Sequence, residues 1–489
     1  MQLEKITAGL VLQNRGPGIS SGIMAQLEPS QDYDVLEGQV NVGTLIAGKE
    51  AVPVFTLRPR GDGPVRLQFN IAYNDPERDS KVVKFADLLY LGEAPPPYTE
   101  IPNPYTPGPP LEPDNPTFMS REDIFDFIKQ NIAGVTDKKV LALVGGRRTG
   151  KTTILKHLPA RLGNERYLPI FVDCQGIGID PGIGNFFLSL ATDIAVGLNK
   201  VGIQVPRLTL AELGESPQHV FQQRFLPMVR REIGGRILLL TLDEFEHLGR
   251  LVREGSLPPN VFPSLRHLIQ HEEQLAFIFA GTHELEKKMG DYWSVLFNIA
   301  VYKRVGRLDR DETIRLIREP VQSYGMRYDD LAVDEMVRLT ACHPYFTQLL
   351  CHTLVNQCNK AQRNFVTIQD VHNAEEELLE AGQAHLEFIW MVSGPVARLT
   401  LAALAELCSR SGQVTGSEIV DELTSRQIDL LPSQIIEAMD ELVVQDIVYE
   451  IPGYRVSYDF TTQLYAHWLR RYKPLSKVVE VERNELAKK

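Results

Sequence analysis

The sequence predicts a multidomain chain: a small all-β sandwich, a proline-rich linker, an α/β domain, a helical domain and a C-terminal domain of helices with a two-stranded wing. Three observations carry that prediction. Short β-branched stretches separated by turn clusters fill the chain to about Gly92, continuous apolar strands alternate with helical patterns from 118 to 308, and strand signals then vanish until about Ile447. At 489 residues the chain also exceeds what one hydrophobic core supports, roughly 250 to 300 residues.

Composition narrows the class. With 43% hydrophobic and 23% charged residues, and no apolar run of the roughly 18 to 20 residues that spans a bilayer, the chain reads as a globular protein without a membrane segment. The start, Met1-Gln2-Leu3-Glu4-Lys5, has an early acid and no apolar h-region, so a cytoplasmic location is expected. Five scattered cysteines without a C-x-x-C pair fit neither a disulfide framework nor a zinc ribbon. A net charge of -12 disfavours nonspecific attraction to a polyanion.

Within 1–93 the strand stretches are Gly9 to Leu12, Gly38 to Val42, Val52 to Leu57 and Val65 to Ile71, separated by turns such as Asn14-Arg15-Gly16-Pro17-Gly18. Their spacing is that of an immunoglobulin-like antiparallel sandwich. It offers no catalytic constellation, so contact with a partner or with the rest of the chain is its expected role. The first strand pattern begins almost at Met1, which suggests a chain cut at a domain edge. The proline-rich segment 94–117 forbids helix and reads as a semi-rigid linker, in preference to a ligand for an aromatic groove.

In the α/β domain, 118–308, Ser120 can cap a helix over Arg121 to Ile132, and Lys139 to Val144 is a buried strand. It runs into Gly145-Gly146-Arg147-Arg148-Thr149-Gly150-Lys151-Thr152, followed by Thr153, which satisfies G-x-x-x-x-G-K-[ST] between a strand and a helix. Glycines let successive N–H groups curl around phosphates, Lys151 reaches those phosphates, and Thr152 offers a hydroxyl to a magnesium ion. Further strands are Tyr167 to Asp173, Arg236 to Leu242 and Leu275 to Ala280; near-continuous apolar strands between helices mean a parallel sheet covered on both faces.

The strand ending in Asp243-Glu244 pairs with that loop: Asp243 can hold the metal's water shell, and Glu244 can orient or deprotonate an attacking water. An acid pair there favours hydrolysis over binding alone, and over a small-molecule kinase. Thr282, at the end of Leu275 to Ala280, is the candidate γ-phosphate sensor, with His283 second; a helix cap is the competing role of Thr282. Arg304 and Arg307, with Lys303, are candidate arginine fingers, as are Arg147 and Arg148.

From 309 to 392 the sequence reads as a helical lid, with helix starts at Asp309 to Glu312, His343-Pro344 and Thr367 to Asp370. In 393–475 helices end near Glu441, followed by Ile447 to Glu450, a Pro452-Gly453 turn and Tyr454 to Tyr458, the order of a winged helix; 476–489 is a charged tail.

The order of these features resembles the STAND-class, AAA+-like ATPases, in the branch of archaeal-type ATPases related to origin-recognition initiators. The resemblance spans roughly 103 to 473. Its entry motif, Phe-x-Gly-Arg-Glu, stands here as Phe118-Met119-Ser120-Arg121-Glu122, and its lid motif, Gly-His-Pro-Tyr, as Cys342-His343-Pro344-Tyr345. Serine and cysteine replace the two glycines. The resemblance implies ATP and Mg²⁺ as ligands, Pro344 near the base, and a C-terminal winged helix used as an intramolecular clamp. The absence of lysine and arginine from Leu430 to Glu450, against Glu437, Asp440, Glu441, Asp446 and Glu450, disfavours DNA there.

The leading functional expectation is therefore an ATP-binding and hydrolysing molecular switch that controls conformation, assembly or a protein partner; its place in a signalling or defence system rests on family likeness alone. The alternative is an initiator- or loader-like DNA-associated ATPase. A scaffold holding a fixed nucleotide is a third reading.

Overall fold

The computed structural model describes residues 5–14, 18–61, 64–75, 81–89, 98–119, 121–133, 140–163, 165–178, 182–282, 296, 300–411, 413–453 and 455–486. The chain divides into two compact units. One comprises 1–105, 317–339 and 349–382; the other comprises 106–316, 340–348 and 383–489.

The N-terminal region is β-rich. β3 (Ser20–Leu27), β5 (Gln39–Leu45), β8 (Val65–Asn74) and β9 (Lys81–Leu89) form an antiparallel sheet in the order β5-β3-β8-β9. β1 (Ile6–Gly9), β7 (Val54–Pro59) and β4 (Tyr33–Glu37) form a second antiparallel sheet, and β2 (Leu12–Gln13) pairs with β6 (Glu50–Ala51). Alternate residues face inward, as period-two strands require, and the inward residues of both larger sheets share one core: Ile23, Ala25 and Phe69 meet Tyr33, Phe55 and Leu57. The Phe55 and Phe69 rings lie 5.0 Å apart.

In the same unit Arg66 of β8 pairs with Asp329 and, at 3.2 Å, with Asp330. The proline-rich segment is docked here. Asn359 accepts from the Ile101 N–H and donates to the Ile101 carbonyl, both at 3.0 Å, satisfying a backbone that has no strand partner. Tyr105 is buried and donates to the Ile317 carbonyl at 2.9 Å.

The α/β domain is built on β10 (Val140–Val144), β11 (Tyr167–Asp173), β12 (Ile237–Asp243), β13 (Leu275–Gly281) and β14 (Val301–Arg304), all parallel, in the order β11-β12-β13-β10-β14. Side-chain alternation splits each strand between two cores. Leu141, Leu143, Leu239 and Ile278 pack with Ile124, Phe125, Ile154 and Leu158 of α1 (Glu122–Ala133) and α2 (Lys151–Leu162). Ala142, Leu240 and Phe277 face the opposite core, with Phe186 and Leu190 of α3 (Ile183–Lys200), Val229, Leu248 and Leu265. The last three lie on helices of a series that runs α4 (Leu210–Leu213), α5 (Pro217–Val220), α6 (Leu226–Ile233), α7 (Glu246–Arg253) and α8 (Val261–His271).

The helical segment contains α9 (Arg310–Gln322), α10 (Asp330–Thr340), α11 (Pro344–Lys360) and α12 (Ile368–Ala381). The helix starts read from sequence fall where capping requires. Asp309 Oδ1 accepts from the Glu312 N–H, and the Asp370 carboxylate accepts from the Thr367 N–H. The expectation that strands vanish here needs correction: β15 (Arg327–Tyr328) pairs in parallel with β16 (Phe365–Val366). Two-residue bridges carry no hydrophobic period, so sequence patterning does not expose them.

After α13 (Gln383–Val392), the C-terminal region runs α14 (Pro395–Ser411), β17 (Val414–Thr415), α15 (Gly416–Ser425), α16 (Pro432–Val444), β18 (Val448–Ile451), β19 (Ser457–Phe460), α17 (Gln463–Tyr472) and α18 (Leu475–Leu486). The antiparallel sheet order is β17-β19-β18. Within the segment read as a charged tail, residues 476–486 instead belong to α18, which buries Leu475, Val478 and Val479 at helical spacing; Arg398 of α14 pairs with Glu482 at 3.2 Å. Among the described residues no helix is long and apolar enough to cross a membrane.

Candidate nucleotide site

The loop after β10 needs its glycines for different reasons. A Cβ on Gly145 would stand 2.1 Å from the Val305 carbonyl oxygen, a hard overlap, whereas Gly150 has φ +99°, a conformation that side chains rarely adopt. Arg148 between them also takes the left-handed region, at φ 62°. The loop is drawn against the sheet by Gly145 N–H donating to Gly281 O at 3.1 Å.

Lys151 opens α2 and is 5% exposed. Its ammonium donates to the carbonyls of Gly145 at 3.0 Å and Gly146 at 2.8 Å, and burial lowers its pKa. Thr149 donates to Gly146 O at 2.9 Å. Thr152 donates to Asp243 Oδ2 at 2.5 Å, bringing the metal-ligand candidates of loop and strand together. The Thr153 hydroxyl faces elsewhere, accepting from Leu111 N–H at 3.2 Å.

Asp243 ends β12 and is 3% exposed, with Oδ1 lacking a hydrogen-bond partner among the described residues. Burial raises its pKa, opposed by the Thr152 hydrogen bond and by Lys151. Glu244 follows in the left-handed region, φ 49°, where the chain turns sharply out of the strand. Glu246, two residues further on, carries no signal in the sequence because it resembles an ordinary acid in the first turn of a helix. Its Oε1 accepts from Thr282 N–H at 3.1 Å, its Oε2 is buried without a partner among the described residues, and burial followed by repulsion from Glu244 raises its pKa. Thr282 thus lies at the end of β13, directly beside β10 in the sheet. His283 and Ser120 lie outside the described residues.

A cavity of about 270 Å³ begins at this loop. Its lining includes Arg147 to Ile154 and Glu244, then Thr117, Phe118, Met119, Leu308, Leu316, Pro344, Tyr345 and Gln348. Thr106 to Leu111 of the proline-rich segment complete it. Nothing in a polyproline stretch advertises that role, since it carries no period and its contacts are distant in sequence. Arg121 is buried, with φ 46°, and donates to the Gly306 carbonyl at 3.2 Å and, less closely, to Thr149 O at 3.4 Å. Cys342, standing for the lid motif's glycine, has φ 60°, a conformation glycine adopts freely.

The candidate arginine fingers are engaged within the chain. Arg307 makes a two-point pair with Asp446, at 2.8 and 3.1 Å, Arg304 donates to the Val444 carbonyl at 3.0 Å, and Lys303 pairs with Asp123 at 3.1 Å. The loop arginines stack on rings: Arg147 lies 4.1 Å from the Phe388 centroid and Arg148 4.0 Å from that of Tyr345. Behind Tyr345 lie His343 and His385, both pushed down to about 3, by burial first and then by nearby cationic or histidine side chains.

A phosphate-cradling loop at the end of β10 in a five-stranded parallel sheet, with a paired acid strand, gives residues 135–289 the architecture of a P-loop AAA+-like ATPase domain. Residues 135–289 match the family described as AAA domain. No curated protein matches. Among solved structures the chain is similar to the Walker-type ATPase of Pyrococcus abyssi, at 16% identity and a TM-score of 0.56, over 73% of this chain and 98% of that one. It is also similar to the ORC2 protein of Aeropyrum pernix in its ADPNP-ADP complexes, at 12% identity and a TM-score of 0.44, over 74% and 92% of the two chains. The Aeropyrum pernix ORC1 protein in complex with DNA follows, at 17% identity and a TM-score of 0.36, over 76% and 95%. The first shares the fold; the scores of the other two are too low to carry an argument.

Proposed function

We propose that this ATPase is a nucleotide-driven switch of the STAND type, in which ATP binding and slow hydrolysis set the arrangement of the AAA domain and the C-terminal region, and so control assembly or a protein partner. The supporting observation is the clasp between Arg304 and Arg307 beside β14 and Val444 and Asp446 at the end of α16. An arginine held this way is withheld from any phosphate, so opening the clasp and stabilising a triphosphate are coupled. A place in signalling or defence rests on the family likeness.

In this reading the loop N–H groups, with Gly146, Arg147, Arg148 and Thr149, cradle the phosphates, and Lys151 leaves its carbonyl partners for them. Thr152 and Asp243 fit Mg²⁺: a hydroxyl beside a buried carboxylate with one unused oxygen is the sparse protein ligand set that this ion takes when phosphates supply the rest. Bound there, the ion neutralises developing phosphate charge. Glu244 orients or deprotonates the attacking water, Thr282 senses the γ-phosphate, and Pro344 lies against the base.

We read the C-terminal order of helix, short strand, two helices and hairpin as a winged helix, and the two packed N-terminal sheets as an immunoglobulin-like sandwich. The winged helix serves as a clamp here. The exposed acids Glu437, Asp440 and Glu441 on α16 oppose a duplex backbone and disfavour the initiator-like alternative. Sedimentation of the full chain in ATP and ADP, with turnover measured alongside, tests the switch. Lys151→Ala should bind no nucleotide, and Glu244→Gln should bind ATP, fail to turn it over and stay in the ATP form. Identical sedimentation in every nucleotide state would overturn the proposal.

A further inference from the structure

A second cavity, of about 580 Å³, lies between the AAA domain and the C-terminal region, and the nucleotide reading leaves most of it unused. It shares Arg147, Thr149 and Glu244 with the first, then extends along Arg307 and Asp446 of the clasp to α13 and α17. Its volume falls within the roughly 300 to 1,000 Å³ of small-molecule pockets and leaves no room for a folded partner. Val392 lines it and is 55% exposed, which marks where the cavity opens to solvent.

Besides Glu246, three side chains on its wall have a polar atom buried without a hydrogen-bond partner among the described residues: Nδ1 of His343, Oγ1 of Thr461 and the hydroxyl of Tyr465. Tyr465 is fully buried, and its ring is held by Phe460 at 6.1 Å and Trp468 at 5.7 Å, so the hydroxyl has little freedom to find a partner elsewhere. Leaving such groups unpaired is costly unless an occupant completes them. The two hydroxyls donate, and a neutral imidazole nitrogen takes either role, so the occupant needs at least one acceptor.

The rest of this side is apolar and rich in rings. Phe346 and His385 lie edge to face at 5.4 Å, and Phe388, Ile389 and Ile447 line the same wall. Among the described residues α13 and α17 bring no charged side chain to it, and burial keeps His343 and His385 neutral. Arg307 and Asp446 are spent on each other. A charged ligand group would lose its hydration here without gaining a counter-charge. Water would satisfy the hydroxyls but gain nothing against Ile389 and Val392. A flat ring gains edge-to-face and offset contacts instead.

We propose that this cavity is a second ligand site, separate from that of the nucleotide, for an uncharged, flat aromatic small molecule bearing a hydrogen-bond acceptor such as a carbonyl. The ring lies among Phe346, His385, Phe388 and Ile389, and the acceptor completes the hydroxyls of Thr461 and Tyr465.

Coumarin, an uncharged bicyclic lactone, is the probe, titrated against the full chain by ligand-observed NMR. Saturable binding with a dissociation constant below about 1 mM is expected for a ligand of its size. Coumarin-3-carboxylate should bind at least about tenfold more weakly than the size-matched coumarin-3-carboxamide. Thr461→Val combined with Tyr465→Phe keeps the shape, removes both hydroxyls and should weaken coumarin about tenfold. Ile389→Trp fills the space for the ring and should abolish saturable binding; it serves if the double variant does not fold. None of these three residues lines the nucleotide cavity, so unchanged affinity in a variant that still melts cooperatively overturns the site. Absence of saturable binding to wild type overturns it too, as does equal affinity for the carboxylate and the carboxamide.

Discussion

The backbone N–H of Thr282 donates to Glu246 Oε1 at 3.1 Å, tying the end of β13 to the first turn of the helix that follows Asp243 and Glu244. The strand beside the phosphate loop and the acidic turn therefore shift together. Glu246→Ala cuts that tie without touching Lys151. Nucleotide affinity should stay within about threefold of wild type while turnover falls about tenfold, less than the 10² to 10⁴ fold expected on losing Glu244 as a base. Parallel titration and steady-state phosphate release separate the two effects.

The Arg307–Asp446 pair should report on the clasp directly. Asp446→Arg places like charges together and should raise basal turnover, as should Arg307→Asp if the arginine acts only as a clasp. The reciprocal double variant should return toward wild type, with a coupling of about 0.5 to 3 kcal/mol. Raised salt should mimic the single variants weakly, since both side chains are about a third exposed. Rates that do not recouple in the double variant would leave the pair as surface decoration.

Asp243 illustrates stability given up for chemistry. Its folded-state pKa is raised above that of an unfolded aspartate, so the folded form holds its proton over a window where the unfolded form has lost it. Stability falls as pH rises through that window, and the cost remains at neutral pH. Asp243→Asn removes the buried charge and should raise the melting temperature of the nucleotide-free protein in chelator, by the equivalent of about 1 kcal/mol. The same change should abolish metal-dependent turnover.

His343 and His385 have the opposite charge logic. Both are held neutral, with folded values of about 3 against an ordinary 6.5. Above 6.5 neither state binds the proton. As pH falls from 6.5 toward 3 the unfolded chain gains protons that the folded one refuses, and stability drops by about 1.4 kcal/mol per pH unit for each fully differential group. Melting curves between pH 7 and 4 should be steeper for wild type than for a His343→Asn, His385→Gln double variant.

What the sequence disclosed follows from how local each signal is. The phosphate loop was legible because a buried strand, fixed glycines and a helix start lie within one short stretch, and Asp243 because an apolar strand announces it. The clasp was not, since Arg307 and Asp446 are joined only by the folded chain, and either alone is an ordinary surface charge. The strap at Thr106 to Leu111 was hidden for a related reason: prolines report backbone shape and say nothing of what that backbone lies against. Gln348 sits on a helix whose apolar pattern explains its neighbours, and only a buried Oε1 without a partner among the described residues separates it from them.

The 2.1 Å approach of a would-be Cβ on Gly145 to the Val305 carbonyl makes the loop a poor candidate for transplantation. Val305 itself is held by donating its N–H to Val144 O at 2.7 Å, so the segment leaving the edge strand is set by the strand that launches the loop. A protein engineer who moved only Gly145 to Thr153 into another sheet would leave behind the surface that dictates its first residue. The portable module is the loop together with β10, β14 and the 305 carbonyl.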